Sequence, residues 1–195
     1  MITASPARLT PDVLMRPAVP EDAGGLARAY TRSRDHLRRW EPERDEAFFT
    51  PAGQAQRLRG RLAEQRAGRA LPWVLVRQPD GGAAEADEPD IVGAITLSDI
   101  VLGPLRSAHV GYWIDVGQVR RGLASAAVTA LCAAADTELG LHRLQAGTLV
   151  DNLASQGVLT KCGFVPFGVA ENYLHINGAW RDHRLFQKIL NDRRP

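Results

Sequence analysis

Cysteine is scarce: Cys132 and Cys162 are the only two, they stand far apart, and there is no CxxC. That argues for a reduced cytosolic interior over a disulfide framework. The five histidines (36, 109, 142, 175 and 183) never fall three to five residues apart, so no metal site is expected. No stretch approaches the roughly 18 apolar residues of a membrane span, and MITASPARLTPD lacks the apolar run of a signal peptide. Neither charge is in excess. Lys plus Arg is 24 against 22 Asp plus Glu, a net charge of +2, which gives no reason to expect nucleic acid or another polyanion as partner. The expectation is a soluble cytoplasmic protein with no membrane and no direct nucleic-acid contact, as a monomer or a homodimer.

What is present suffices for one core. At 195 residues and 45% hydrophobic the chain reads as a single domain, with 1–12 a flexible leader. Periodicity predicts a strand at Val13–Ala18, a helical stretch opened by Pro20-Glu21-Asp22 and reaching about Arg34, and an Arg-rich helix over Ala52–Ala67. Strands follow at Leu71–Arg77, Ile91–Ile100 and Ala108–Asp115, the first two separated by a polar, mobile loop at 78–90. A helix over Arg120–Glu138, ended by Gly140, leads to a strand at His142–Val150 and a short helix at Asn152–Cys162, capped by Asp151 or Asn152. Phe164–Ile176 and Ala179–Ile189 flank Asn177-Gly178, a strong hairpin signal. The order is that of an α/β (α+β) domain. No internal repeat or linker is visible.

The segment GYWIDVGQVRRGLASAA, residues 111–127, is unusual. From Val116 to Ala124 there is no Ser, Thr, Asp or Asn to cap the helix that follows. Helix starts leave about four N–H groups unpaired, and the macrodipole makes Arg120 and Arg121 the wrong charge there by roughly 0.3–1 kcal/mol each. A bound anion removes both objections: a pyrophosphate supplies acceptors, the arginines attract it, and Gly122 has no Cβ to keep it away. Neither GxxxxGK[ST] nor a GxGxxG after the first strand is present. The plain alternative is a capless helix start facing water.

Val119-Arg120-Arg121-Gly122-Leu123-Ala124 resembles the acetyl-coenzyme A loop of the GNAT acetyltransferases, Gln/Arg-x-x-Gly-x-Gly/Ala, with Val119 in place of the preferred Gln or Arg. DNLASQGVLTKCGF resembles the Asn-x-x-Ser helix of that superfamily and the Gly-Phe that starts the next strand. ENYLHINGAWRDHRLF is similar to the closing hairpin of the ribosomal-protein-alanine N-acetyltransferases, the RimJ/RimL branch. HLRRWEPERDEAFF, with Trp40 to Glu46, resembles the RimJ type. The likeness spans roughly residues 13–190. It implies a mixed sheet splayed between its fourth and fifth strands, flanked by helices and closed by the C-terminal hairpin. It also implies acetyl-CoA as cosubstrate, with no metal.

By the same resemblance, Tyr112, Trp113, Ile114 and Asp115 pair with the pantetheine arm, and the loop from Val119 to Ser125 binds the pyrophosphate through Arg120, Arg121, Gly122, Leu123 and Ala124. Asn152 reaches the pantetheine while also serving as an N-cap. Ser155 protonates the departing thiolate, with Tyr173 and Tyr112 as rivals. Cys162 could carry the acetyl group, but with Leu159 one turn earlier it reads as core. Glu46 and Glu171 are candidate bases, each with solvent exposure as its ordinary alternative. Trp40, Glu41, Arg44 and Asp45 border the acceptor.

The implied reaction is attack of a neutral amine on the thioester through a tetrahedral intermediate, polarised by a backbone N–H of the Tyr112–Asp115 strand. An α-amine with a pKa of about 7.7–8.0 is roughly 10–20% neutral at pH 7, against a few parts in ten thousand for lysine. A protein N-terminus, that of a ribosomal protein, is the expected acceptor. A small-molecule amine such as a drug or polyamine is the alternative enzyme reading, and a non-catalytic acyl-CoA sensor the alternative to an enzyme.

Overall fold

Leu71–Arg77 decides the architecture. Leu71, Trp73 and Leu75 are buried in one apolar cluster, while Val74 and Val76 belong to another on the opposite face. A strand apolar on both faces must be covered on both, so the sheet lies between two layers of helices.

The computed structural model describes residues 5–78 and 89–194. Its strands are β1 (Ala7–Thr10), β2 (Val13–Pro17), β3 (Leu71–Arg77), β4 (Asp90–Val101), β5 (Ser107–Ile114), β6 (Arg143–Leu149), β7 (Val165–Ile176) and β8 (Ala179–Ile189). They form one sheet in the order β1-β2-β3-β4-β5-β6-β8-β7. The helices are α1 (Ala23–Arg32), α2 (Arg34–Arg38), α3 (Pro51–Arg66), α4 (Leu123–Thr137) and α5 (Leu153–Lys161). Leu123, Ala127, Leu131 and Leu159 place α4 and α5 on one face, and Leu26, Tyr30, Leu37 and Leu58 place α1, α2 and α3 on the other.

Pairing is antiparallel throughout the described strands except between β5 and β6. Those two run parallel, joined by α4 as crossover, and bond only where Ser107, Ala108 and His109 face Arg143, Leu144 and Gln145. Beyond that point they part. Gly111–Ile114 keeps its partner β4 on one side, and Ala146–Leu149 keeps β8 on the other. The two inner edges therefore carry open backbone groups facing a wedge. This is the expected splay between fourth and fifth strands, renumbered by one because a strand precedes them.

That extra strand corrects the reading of 1–12 as a flexible leader: Ala7–Thr10 pairs with β2 as an edge strand. Ser5 also donates its N–H to Glu138. β1 is four residues long with no residue fully buried, so its sequence carries no alternation to detect. The first helical stretch ends at Arg32, and Ser33 then starts a second short helix, α2, that the periodicity had not separated. Buried Asp22 holds the entry to α1, accepting from Val19 N–H at 2.8 Å and from Arg16 at 2.6 and 2.9 Å. A charge buried this deeply is tolerable because it is doubly paired. The loop expected at 78–90 falls mostly on 79–88, outside the described residues.

Candidate active site

α4 begins at Leu123, three residues later than its sequence pattern suggests. Arg120 has φ of +63° and Gly122 of +79°, both left-handed, so neither can belong to a right-handed helix. Gly122 is the N-cap, and no side chain caps the helix. A Cβ built on Gly122 would meet nothing within 4 Å, so the space over these first amides is open. The two arginines differ. Arg121 is held by both Asp12 oxygens, at 2.8 and 2.9 Å, and by Gln118. Arg120 is exposed and has no side-chain partner among the described residues. The Arg121 guanidinium holds the Asp12 carboxyl below its usual range, with a hydrogen bond from Thr10 adding to the effect.

Several residues expected at the cosubstrate site turn their side chains elsewhere. Leu123 and Trp113 are core residues, and Ala124 and Ser125 lie half-buried in the first turn of α4. Asp115 is buried and accepts from Arg32 at 3.0 Å and from Gly117 N–H at 2.9 Å. These side chains shape the strand and loop, leaving the main chain of Gly111–Ile114 as the surface facing the wedge. Val119, with ψ of 158°, is the extended residue between the short turn at Val116–Gln118 and the left-handed pair.

Across the wedge Tyr112 and Ser155 meet. The phenol oxygen lies 2.9 Å from Ser155 Oγ and donates to the Ser155 carbonyl at 3.2 Å. Burial pushes the Tyr112 phenol up to about 12, with the Ser155 hydrogen bond pulling weakly the other way, so it stays protonated at neutral pH. Ser155 is held in turn by Asn152, whose Oδ1 accepts from Ser155 N–H at 3.1 Å, which settles the cap of α5 on Asn152 rather than Asp151. Cys162 is buried, with its thiol directed to the Ser125 carbonyl at 3.4 Å, as a core residue would be.

On the opposite face the 39–45 loop and the β7–β8 turn close a pocket of about 250 Å³. Its lining includes Tyr30, Arg38, Glu41, Arg44, Phe48 and Asn177. Asn177, left-handed at φ +46°, donates its N–H to the Glu41 carbonyl at 3.2 Å and so ties the hairpin to the loop. Tyr30 stands at the back, 4.4 Å from Trp113 and 4.8 Å from Phe48 between ring centroids. The Trp113 Nε1 donor is buried without a partner among the described residues.

The candidate carboxylates are not gathered. Glu46 is exposed and bonded to Arg34 at 2.5 and 3.1 Å, which holds its carboxyl below the usual range. Asp45 caps the turn at Glu46–Phe49 by accepting from Phe48 N–H at 2.9 Å. Glu171 is exposed on a bulge of β7 with no partner among the described residues, and Glu41 leans on Arg44 at 3.5 Å. Trp40 lies beside the pocket, stacked under Arg39 at 4.0 Å, and is not part of its wall. Tyr173 is half-exposed on the pocket face, across the sheet from Ser155, and packs 5.5 Å from His183.

The model of the acetyltransferase (GNAT) domain family matches residues 12–165, well over half of the chain. The chain belongs to the GNAT acetyltransferases. It is 34% identical over 190 residues to the [ribosomal protein uS5]-alanine N-acetyltransferase of Escherichia coli (strain K12), covering 96% of this chain and 93% of that one. The structure of the ribosomal-protein-S5-alanine acetyltransferase from Vibrio fischeri superposes with a TM-score of 0.87 at 34% identity, covering 98% of this chain and all of that one. Mycobacterium smegmatis RimJ in complex with CoA-disulfide superposes at 0.81 with 33% identity, over 91% and 81% of the two chains.

This GNAT protein is thus an acetyl-CoA-dependent N-acetyltransferase, and its wedge fits the cosubstrate: an open strand edge at Gly111–Ile114, then a capless helix start with free space over Gly122. Among the described residues no three His, Cys, Asp or Glu side chains gather as metal ligands, and no helix is long and apolar enough to cross a membrane. Sequence reasoning missed the aromatic wall of Tyr30, Phe48 and Phe49. The adjacent Phe48-Phe49 pair was its one available signal.

Proposed function

We propose that this enzyme acetylates the α-amine of a protein N-terminus in the cytoplasm, a ribosomal protein being the acceptor that its relatives' names suggest. The observation that carries the reading is the pocket closed by Glu41 and Asn177. It lies on the face opposite Ser155, and its aromatic back wall, Tyr30, rests on Trp113 of the strand that borders the wedge. A pocket of about 250 Å³ lined by Glu41 and Glu43 together with Arg34, Arg38 and Arg44 suits a short, flexible, polar peptide end better than a rigid aromatic drug.

In this reading Gly111–Ile114 and the amides at Gly122–Ser125 hold the cosubstrate, with Arg120 adding charge at the rim. A main-chain N–H of β5 polarises the thioester carbonyl, and the neutral amine attacks it through a tetrahedral intermediate. The Ser155 hydroxyl, backed by Tyr112, gives its proton to the departing sulfur. Glu46 is excluded as the base by its own arginine: a carboxylate held below its usual range is a poor proton acceptor near pH 7.

The test is a competition between two peptides of one sequence, the first with a free and the second with a blocked N-terminus, followed by mass mapping of the acetyl group. Acetylation confined to the free terminus is expected. Modification of an internal lysine in the blocked peptide, or preference for a small amine over every peptide, overturns the α-amine reading.

A further inference from the structure

Glu46 and Glu171 leave the reaction without a convincing proton acceptor, and the wedge holds a group that fills the role. His183, on β8, is 4% exposed, and its Nδ1 lies 3.0 Å from the Arg181 carbonyl oxygen. A carbonyl only accepts, so Nδ1 carries the proton and Nε2 bears the lone pair. Among the described residues Nε2 makes no hydrogen bond, and it is not one of the buried polar atoms left without a partner. A buried imidazole oriented in this way, with Nε2 left unbonded, is an arrangement suited to taking a proton.

Its position relative to the wedge follows from Gly147. Leu144 and Ala146 of β6 belong to the α4 and α5 cluster, so Gly147 between them and Thr148 faces the pocket side. It lies on the stretch of β6 that has parted from β5. A Cβ there would come within 3.7 Å of His183 Cδ2, of Tyr173 Cε1 and of a Leu185 methyl. Cδ2 is bonded to Nε2, so the working edge of the imidazole is turned toward Gly147. Gly147 is exposed and carries no side chain to cover that edge, beside which Tyr173 and Leu185 stand.

We propose that His183 is the general base of the N-acetyl transfer, taking the amine proton directly or through one water across the space over Gly147. The amine nitrogen bonds to the thioester carbon, one of its protons passes to Nε2, and the C–S bond breaks as the sulfur takes a proton from the Ser155–Tyr112 pair. The imidazolium then releases its proton to solvent, and the hydroxyl pair takes one back from solvent, which restores both groups. Base and acid thus lie on opposite faces of the sheet with the wedge between them. The inference rests on N-acetyl transfer at this site, whichever amine is the acceptor.

Two variants test it in the full-length protein with acetyl-CoA and the best acceptor from a panel of peptide and small amines. His183→Ala is expected to lower kcat about 10²- to 10³-fold, with the KM for acetyl-CoA and the CoA-induced rise in melting temperature unchanged. Added imidazole is expected to restore at least about a tenth of the lost turnover while leaving the parent unaffected. Gly147→Leu, whose Cβ meets its neighbours at ordinary contact distance, is expected to lower kcat/KM for the acceptor by about 10²-fold with CoA binding intact. A parent-like kcat in His183→Ala, or a loss that imidazole leaves in place, overturns the assignment of His183. A parent that acetylates no amine in the panel overturns the acetyl-transfer reading instead.

Discussion

Tyr112 and Ser155 come from opposite banks of the wedge, one on β5 and one on the helix after β6, and their hydroxyl oxygens lie 2.9 Å apart. The contact closes the floor of a cleft that the backbone leaves open. A phenol pushed up to about 12 stays protonated throughout the working pH range, so in the proposed reaction it remains a hydrogen-bond donor beside Ser155 as the serine gives up its proton.

Ser155→Ala should therefore lower kcat by about 10²-fold with little change in CoA affinity, the scale of proton-transfer assistance. Tyr112→Phe should cost less, because Ser155 keeps its proton. Tyr173→Phe, across the sheet, should cost less still in the same step. Pre-steady-state thiol release separates these effects from acceptor binding, and a larger loss in either tyrosine variant reverses the assigned order.

The same phenol bears on stability at high pH. Its folded-state value lies above the ordinary 10, so its contribution is complete below pH 10 and is lost as pH rises through about 12. The parent should lose stability across that window, and Tyr112→Phe should lose less of it. Urea unfolding at pH 9 and pH 11 measures the difference.

Gly122→Val should abolish the CoA-induced rise in melting temperature. It places a branched side chain in the open space over the α4 amides and strains a backbone held at φ +79°. Because that strain also lowers the melting temperature of the free protein, the decisive quantity is the increment with CoA. A parent-like increment removes the loop from the cosubstrate site.

Arg120→Gln should weaken CoA binding several-fold, and the loss should shrink in salt well above 0.1 M, where the screening length falls below about 10 Å. Arg121→Gln should cost less, since Asp12 already neutralises that guanidinium. Calorimetric titrations at two salt concentrations rank the pair.

Much of this was legible in the sequence because the signals were chemical rather than statistical. The missing cap before Leu123, the glycine at 122 and the Asn-x-x-Ser spacing each correspond to a backbone feature of the fold: an uncapped start of α4, a left-handed residue and the N-cap of α5. Asn177-Gly178 placed the hairpin turn for the same reason. The boundary of α4 was missed by three residues because nothing in the letters Arg120-Arg121 announces a left-handed arginine. The acceptor side was harder. Glu46, Asp45 and Glu171 look alike in sequence, and only the fold shows that an arginine, a turn amide and open water claim them in turn. His183 carried no signal, since its tautomer depends on the carbonyl of Arg181 and its outlook on the absence of a side chain at Gly147.

The strand order carries a consequence for synthesis. β8 is the last strand of the described chain, yet it lies inside the sheet between β6 and β7 and contributes bonds to both. A nascent chain that has released everything through Asn177 still leaves β6 bare along one edge, β7 without a partner, and the pocket face without His183. The proposed acceptor half of the wedge therefore comes into being only when Ala179–Ile189 threads home. A stop codon at the hairpin turn should yield an aggregation-prone chain with an almost complete cosubstrate loop and no acetylating activity.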